Sequence, residues 1–428
     1  MENYKFMKII FMLILLLSFV KPAYAYIDPG TGSMLFSIVL SISSIFFFVL
    51  FFIWEKIKLY IFKDKTAEKN TYPIVIYTED KRYFHVFNDI INEFENRQYP
   101  VMVYVSSDND TFLQNKYNYV KVENIGKGYK AYSKLAFMRA DVCLMTTPGL
   151  DVFHLKRSKF VKHYSHIPHA ISECLGYRLF GLDYYDSILM NFAKSGEYIR
   201  ELEKKRNLPP KELVVVGSPV MDSMIKSLPT NNEKQDKTIV LLAPSWGENA
   251  ILANYGEQII DKLVKTPFLT IIRPHPQSLI SEKKMIQNLQ EKYKDANNIQ
   301  WDFSTDNLQT MAKSDILITD FSGIIHEFVF FFNKPCIYSL NNFNKELYDL
   351  GDIDGITYRF STLEKIGKEL TLSNIDKLDE MIYSLIKSND LSKNILEIKN
   401  EIWQEQGNGA KNVVDFLIQK QKEVSSCQ

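Results

Sequence analysis

The chain changes rhythm along its length. Residues 9–20 and 34–54 are apolar runs without charge. From residue 72 onward, short β-branched runs alternate with stretches whose apolar residues recur at helical spacing. "PIVIYTE" (73–79) and "PVMVYVSS" (100–107) flank the amphipathic "FHVFNDIINEFENR". This predicts strand, helix, strand. "YVKVEN" (119–124) predicts a further strand, "YKAYSKLAFMRA" a helix and "DVCLMTTPG" a strand. "KELVVVGSP" (211–219) closes the series. Apolar strands alternating with helices predict a parallel sheet covered on both faces.

The polar stretch 231–237 reads as a linker, after which the pattern restarts. Strands are predicted at 238–246, 268–276, 314–320 and 335–339. Helices are predicted near 256–265, 281–293 and 324–332, with a helical tail over 378–421. The fold class is therefore α/β, with two doubly wound domains at 72–230 and 236–425. Ligands of such sheets bind beyond the carboxyl ends of the strands. "LLAPSW", "IIRPHPQS", "ILITDFSG" and "VVVGSPVMD" each place small, polar or proline residues just after an apolar strand. All four are expected along one rim.

The front end reads as a membrane device. Residues 1–25 have a basic start, an apolar run and an Ala-Tyr-Ala site, the pattern of a signal peptide or a first membrane helix. Residues 34–54 are expected to form a transmembrane helix. Lys56, Lys58, Lys63 and Lys65 follow and place the rest on the cytoplasmic side. The expectation is a single-pass or hairpin anchor in the cell (inner) membrane, with cytoplasmic domains.

Composition narrows the function. Lys plus Arg and Asp plus Glu each number 51, so there is no basic excess for a nucleic-acid partner. Cys143, Cys174, Cys336 and Cys427 form no zinc-like cluster. His163, His166 and His169 recur every third residue, but Pro168 opposes a helix and no carboxylate completes a metal set. No metal and no cofactor are expected. A general base is the functional reading of this group, and a histidine-rich surface loop is the bland one.

The rim carries candidate chemistry. Arg273 offers a fork of donors to phosphate. His275, held between two prolines, donates to phosphate or to a leaving group. Thr319, Ser322 and Gly323 precede a predicted helix, whose N-terminus favours an anion. Asp320 reads as a helix cap. Glu327, one turn into that helix, reads as a ribose ligand.

These residues resemble the CDP-glycerol:polyglycerophosphate glycerophosphotransferases, which build teichoic acids and related capsule polymers. The resemblance spans roughly 142–362 and is strongest at "LLAPSW", "IIRPHP" and "SDILITDFSGIIHEFVFFFNKPCIYS". It implies a GT-B fold of two facing Rossmann-like domains, the first for the acceptor and the second for the nucleotide donor. It implies His275 near the donor phosphates, Thr319, Asp320 and Ser322 in the nucleotide-diphosphate loop, and Glu327 on the ribose; Ser245 and Gly323 are further candidates for binding the donor nucleotide or its phosphates. "VVGSPVMD" matches the Gly-x-Pro-x-x-Asp element at Gly217, Pro219 and Asp222, the last on the acceptor side. The family's second histidine falls nearest to His166 in "SHIPHA", which carries Ile167 in place of a glycine. His163 and His169 stay candidates beside it.

The implied activity is transfer of a polyol phosphate, glycerol phosphate foremost, from a CDP-activated donor. The acceptor is a hydroxyl of a lipid-linked glycan or polymer. Two rivals remain at this stage. One is a GT-B glycosyltransferase using a nucleotide sugar. The other is a non-catalytic, membrane-tethered nucleotide-binding scaffold. A UDP-sugar epimerase shares the architecture but fits the Thr-Asp-Phe-Ser loop less well.

Overall fold

The computed structural model describes residues 29–61, 70–152, 154–171, 173–178, 180–229, 236–304, 307–340, 343–388 and 390–426. Segment 1–25, Cys427 and most of the expected linker lie outside them.

Helix Pro29–Ile61, up to Tyr60, forms the described part of one compact unit. The transmembrane helix expected at 34–54 is corrected here. Among the described residues, no helix is long and apolar enough to cross a membrane. Ser41, Ser43 and Ser44 interrupt the apolar run. The stretch beyond them, 45–54, rises only about 15 Å, roughly half the thickness of a hydrocarbon core.

The second unit, from residue 61 onward, holds two sheets, both parallel throughout. The first comprises β1 (Thr71–Thr78), β2 (Val101–Val105), β3 (Val120–Asn124), β4 (Arg139–Met145), β5 (Val161–His166), β6 (Ser187–Met190) and β7 (Glu212–Val215). Their order is β3-β2-β1-β4-β5-β6-β7. The second comprises β8 (Ile239–Leu242), β9 (Leu269–Ile272), β10 (Ile299–Trp301), β11 (Ile316–Thr319), β12 (Cys336–Tyr338) and β13 (Gly367–Glu369). Their order is β10-β9-β8-β11-β12-β13.

The central strands are buried along their length, as helices on both faces require: β2, β4 beyond its first residue, β8 and β11 expose nothing. The covering helices show the matching stripe. Helix Phe84–Asn96 buries Val86, Phe87, Ile90, Ile91 and Phe94. Each sheet reverses its winding once, between β1 and β4 and between β8 and β11. A crevice opens beyond the carboxyl ends at such a reversal, and this is where open α/β sheets take ligands.

The tail is helical, as the pattern predicts, but its last helix crosses back to the first sheet. In helix Gly409–Ser426, Gln421 and Ser425 donate to Asp141 of β4, at 2.8 and 2.7 Å. The turn before it is pinned by Asp222, which accepts from Trp403 Nε1 (3.0 Å) and from the N–H groups of Gly407 (2.8 Å) and Gly409 (3.0 Å). Gly217 lets this segment come close. Its φ is +89°, and a Cβ there would meet Gln404 O at 2.7 Å.

Candidate active site

A cavity of about 610 Å³ opens at the two crevices. The first half contributes Lys81, Arg82 and His85 from the turn and helix after β1, and His169 from the loop after β5. The second half contributes Pro244 after β8, Arg273 to Pro276 after β9, Asn307, Ser322 to Ile324 after β11, and Glu327. Topology thus brings together segments far apart in sequence.

On the second-half wall, Pro274 and Pro276 bracket His275. The N–H of Gln277 donates to His275 Nδ1 at 3.1 Å. The proton of the neutral ring therefore sits on Nε2. Burial and the charge of Arg82 hold the pKa of this imidazole below its ordinary value. The ring lies 6.4 Å from that of Trp246. Ser322, Gly323 and Ile324, at the start of helix Ile324–Phe332, line the cavity, so the N-terminal end of this helix borders it. Glu327, one turn in, is hydrogen-bonded by Asn307, and burial raises its pKa.

Arg273 lines the cavity, but its fork is engaged. Nη1 donates to Asp302 (2.7 Å) and Ser304 Oγ (2.9 Å), and Nη2 donates to Ser304 O (2.7 Å). Its visible work is to fix the loop after β10. Thr319, Asp320 and Ser245 stand behind the wall. Thr319 Oγ1 donates to Ala243 O at 2.5 Å. Asp320 caps a helix as expected, but a neighbouring one. Its carboxylate accepts from Ile251 N (2.9 Å), at the start of helix Ile251–Val264, and from Ser245 N (3.0 Å). Ser245 Oγ is buried without a partner among the described residues.

The three histidines of the first half separate. β5 alternates its side chains, so His163 and His166 fall on opposite faces. His163 is buried, with Nε2 at 2.9 Å from Ser187 Oγ. His166 is fully buried between Tyr177 and Tyr185, with Nε2 at 3.0 Å from Tyr177 OH. Burial drives its pKa down to about 3. Neither residue lines the cavity. His169 does, beyond the strand end, with its ring against Tyr83 and Tyr177 and its Nδ1 at 3.4 Å from Thr146 Oγ1. Burial, then Arg82, lowers its pKa. Asp222, expected on the acceptor side, is spent on the C-terminal turn. Among the described residues no group of His, Cys, Asp and Glu is arranged to hold a metal.

Sequence reasoning missed Lys81, Arg82 and His85. The signal was the abrupt "EDKRYFH" directly after an apolar strand, at the same kind of position as "RPHP". His85 Nδ1 lies 3.0 Å from Ser223 Oγ.

With this geometry in place, the chain can be set beside known proteins. Residues 182–352 match the family model of the CDP-Glycerol:Poly(glycerophosphate) glycerophosphotransferases. The match takes in less than half of the chain. It contains His275, the Thr-Asp-Phe-Ser loop and Glu327, and it begins after His169. The fold is shared with the wall teichoic acid polymerase TagF, at 14% identity and a TM-score of 0.53, over 86% of this chain and 94% of that one. It is also shared with two UDP-GlcNAc 2-epimerases. That of Neisseria meningitidis is 15% identical, with a TM-score of 0.55 over 82% of this chain and all of the other. That of Methanocaldococcus jannaschii is 16% identical, with a TM-score of 0.56 over 81% and 99%. No curated protein sequence matches the chain. The family match on this fold bears out the resemblance and supports a transferase enzyme of the teichoic-acid type.

Proposed function

We propose that the chain transfers a polyol phosphate, glycerol phosphate foremost, from a CDP-activated donor to a hydroxyl of a cell-surface polymer. The observation that carries this is the pairing of His169 and His275, one from each half, in one cavity beside a helix N-terminus. Such a cleft holds an anion on one wall and a base on the other.

In this reading the donor lies on the second half. Its diphosphate meets the N-terminus of helix Ile324–Phe332 and His275 Nε2, and its ribose meets Glu327. His169 is the base, because it reaches the cavity and stays neutral near pH 7. It takes the proton of the acceptor hydroxyl. The acceptor oxygen bonds to the distal phosphorus. The bond from that phosphorus to the bridging oxygen breaks, and its electron pair leaves with CMP. His275 stabilises the departing charge. Catalysis is positioning and charge stabilisation, as phosphoryl transfer generally requires.

A donor screen with the purified full-length chain tests this. CDP-glycerol, CDP-ribitol and several UDP- and CMP-sugars are offered with envelope polymer acceptors, and nucleotide release is scored. CMP release from a CDP-polyol, lost in His275→Ala, is expected. Release from a nucleotide sugar alone moves the chain to the glycosyltransferases.

A further inference from the structure

The cavity of the proposed transfer needs a cation for the donor diphosphate, and the arginine of the "RPHP" element is already committed to Asp302 and Ser304. Among the described residues, the other Lys and Arg side chains on the cavity wall are Lys81 and Arg82, both from the first half. We propose that Arg82 is the residue that holds the distal phosphate of the donor, reaching it from the half opposite to the nucleotide.

Three observations carry this. First, Arg82 is presented by a built turn. Asp80 Oδ1 accepts both its backbone N–H and its Nε, each at 2.9 Å. This fixes the base of the guanidinium and leaves its two terminal nitrogens without a partner among the described residues. Second, the side chain is 60% exposed although it lines the cavity, so it stands at the mouth where a ligand enters. Third, its charge bears on both His169 and His275, which belong to opposite walls. A group attacked from His169 and released toward His275 lies in the cavity that Arg82 also lines. Lys81 adds a second charge at the same turn.

The arrangement has a consequence. The donor nucleotide rests on the second half, while its reacting phosphate is gripped from the first. A diphosphate that touches both walls ties the halves together and aligns His169 with the phosphorus. A nucleotide that lacks the distal phosphate gives up that tie.

The inference rests on the CDP-donor reading, and the test separates the two. Inorganic pyrophosphate, CDP and cytidine are titrated calorimetrically into the full-length chain, Arg82→Gln and Arg82→Lys. Loss of one charge-assisted contact predicts roughly tenfold or greater weakening of pyrophosphate and CDP in Arg82→Gln, with cytidine unchanged. Arg82→Lys keeps the charge but not the fork and falls between them. Equal pyrophosphate affinity in wild type and Arg82→Gln overturns the proposal. So does a wild type that binds no pyrophosphate, or a loss matched by an equal loss of cytidine affinity. A wild type that transfers from no donor overturns the proposed function alone, because the pyrophosphate titration still decides Arg82.

Discussion

Arg206, in the first half, donates through Nη2 to Asp349, in the second, at 2.8 Å. The arginine side chain is 8% exposed and the aspartate not at all. Arg206 also bonds Asp183 and Asp352, both at 2.7 Å. Asp349 accepts the N–H groups of Phe180 (2.8 Å) and Gly181 (3.0 Å). The loop around it is a strut. It grips the segment carrying Tyr177, and Tyr177 touches both His166 and His169.

Removing the arginine leaves the buried Asp349 carboxylate without its cation, whereas removing Asp349 would leave Arg206 still paired with Asp183 and Asp352. Arg206→Ala is expected to destabilise the chain by about 3–5 kcal/mol. Urea unfolding monitored by circular dichroism measures it. A loss under about 1 kcal/mol, the range of an exposed pair, would show that the strut is not buried in solution.

His169 and His166 should fail differently. His169→Ala is expected to lower kcat by a factor of about 10² to 10⁴, the usual worth of a general base, with little change in Tm. His166→Ala should instead cost about 2–4 kcal/mol of stability, by leaving a gap between two tyrosines. Turnover per folded molecule should change far less. Paired kinetic and melting measurements distinguish the roles, and the reverse pattern would return the base to His166.

Acid should unfold the protein through its buried imidazoles. His166 and His326 are fully buried, and burial lowers each pKa from 6.5 to about 3. The unfolded chain binds these protons near pH 6.5 and the folded one does not until about pH 3. Stability is therefore complete above the unfolded value and falls as pH drops through this window. By pH 4 each ring should cost about 3 kcal/mol. His326→Phe is expected to flatten the fall of Tm between pH 7 and pH 4. An unchanged slope would mean that His326 is hydrated in solution.

Asp320 tests the wall behind the phosphate loop. Asp320→Ala removes the cap of helix Ile251–Val264 and the acceptor of Ser245 N–H, for an expected loss of about 2 kcal/mol. Asp320→Asn, which keeps one acceptor oxygen, should lose less. Thermal unfolding of the two variants gives the comparison.

Strongly periodic, apolar elements were legible. Helix Ile324–Phe332 falls where its pattern ends in Asn333, and the four expected strands of the second half all form. β5 was missed because "VKHYSH" alternates polar types that a buried strand seldom carries, so its histidines read as a loop. β10 and β13, three residues each, are too short to stand out, and β6 was also missed. The returning helix Gly409–Ser426 looks like any amphipathic tail, since period alone does not say which sheet a helix covers. The site was half legible. The second wall follows from strand-end motifs. The first needed topology, because only the pairing of β5 beside β4 places His166 within the buried sheet and leaves His169 in the loop beyond it, at the cavity.

The most direct measurement is single-turnover CMP release from CDP-glycerol with a polymer acceptor, comparing the full-length chain with His169→Ala and His275→Ala. The two-histidine account predicts release by the wild type and its loss in both variants, with CDP still bound by His169→Ala. CMP release at wild-type rate from either variant, or none from the wild type, would contradict it.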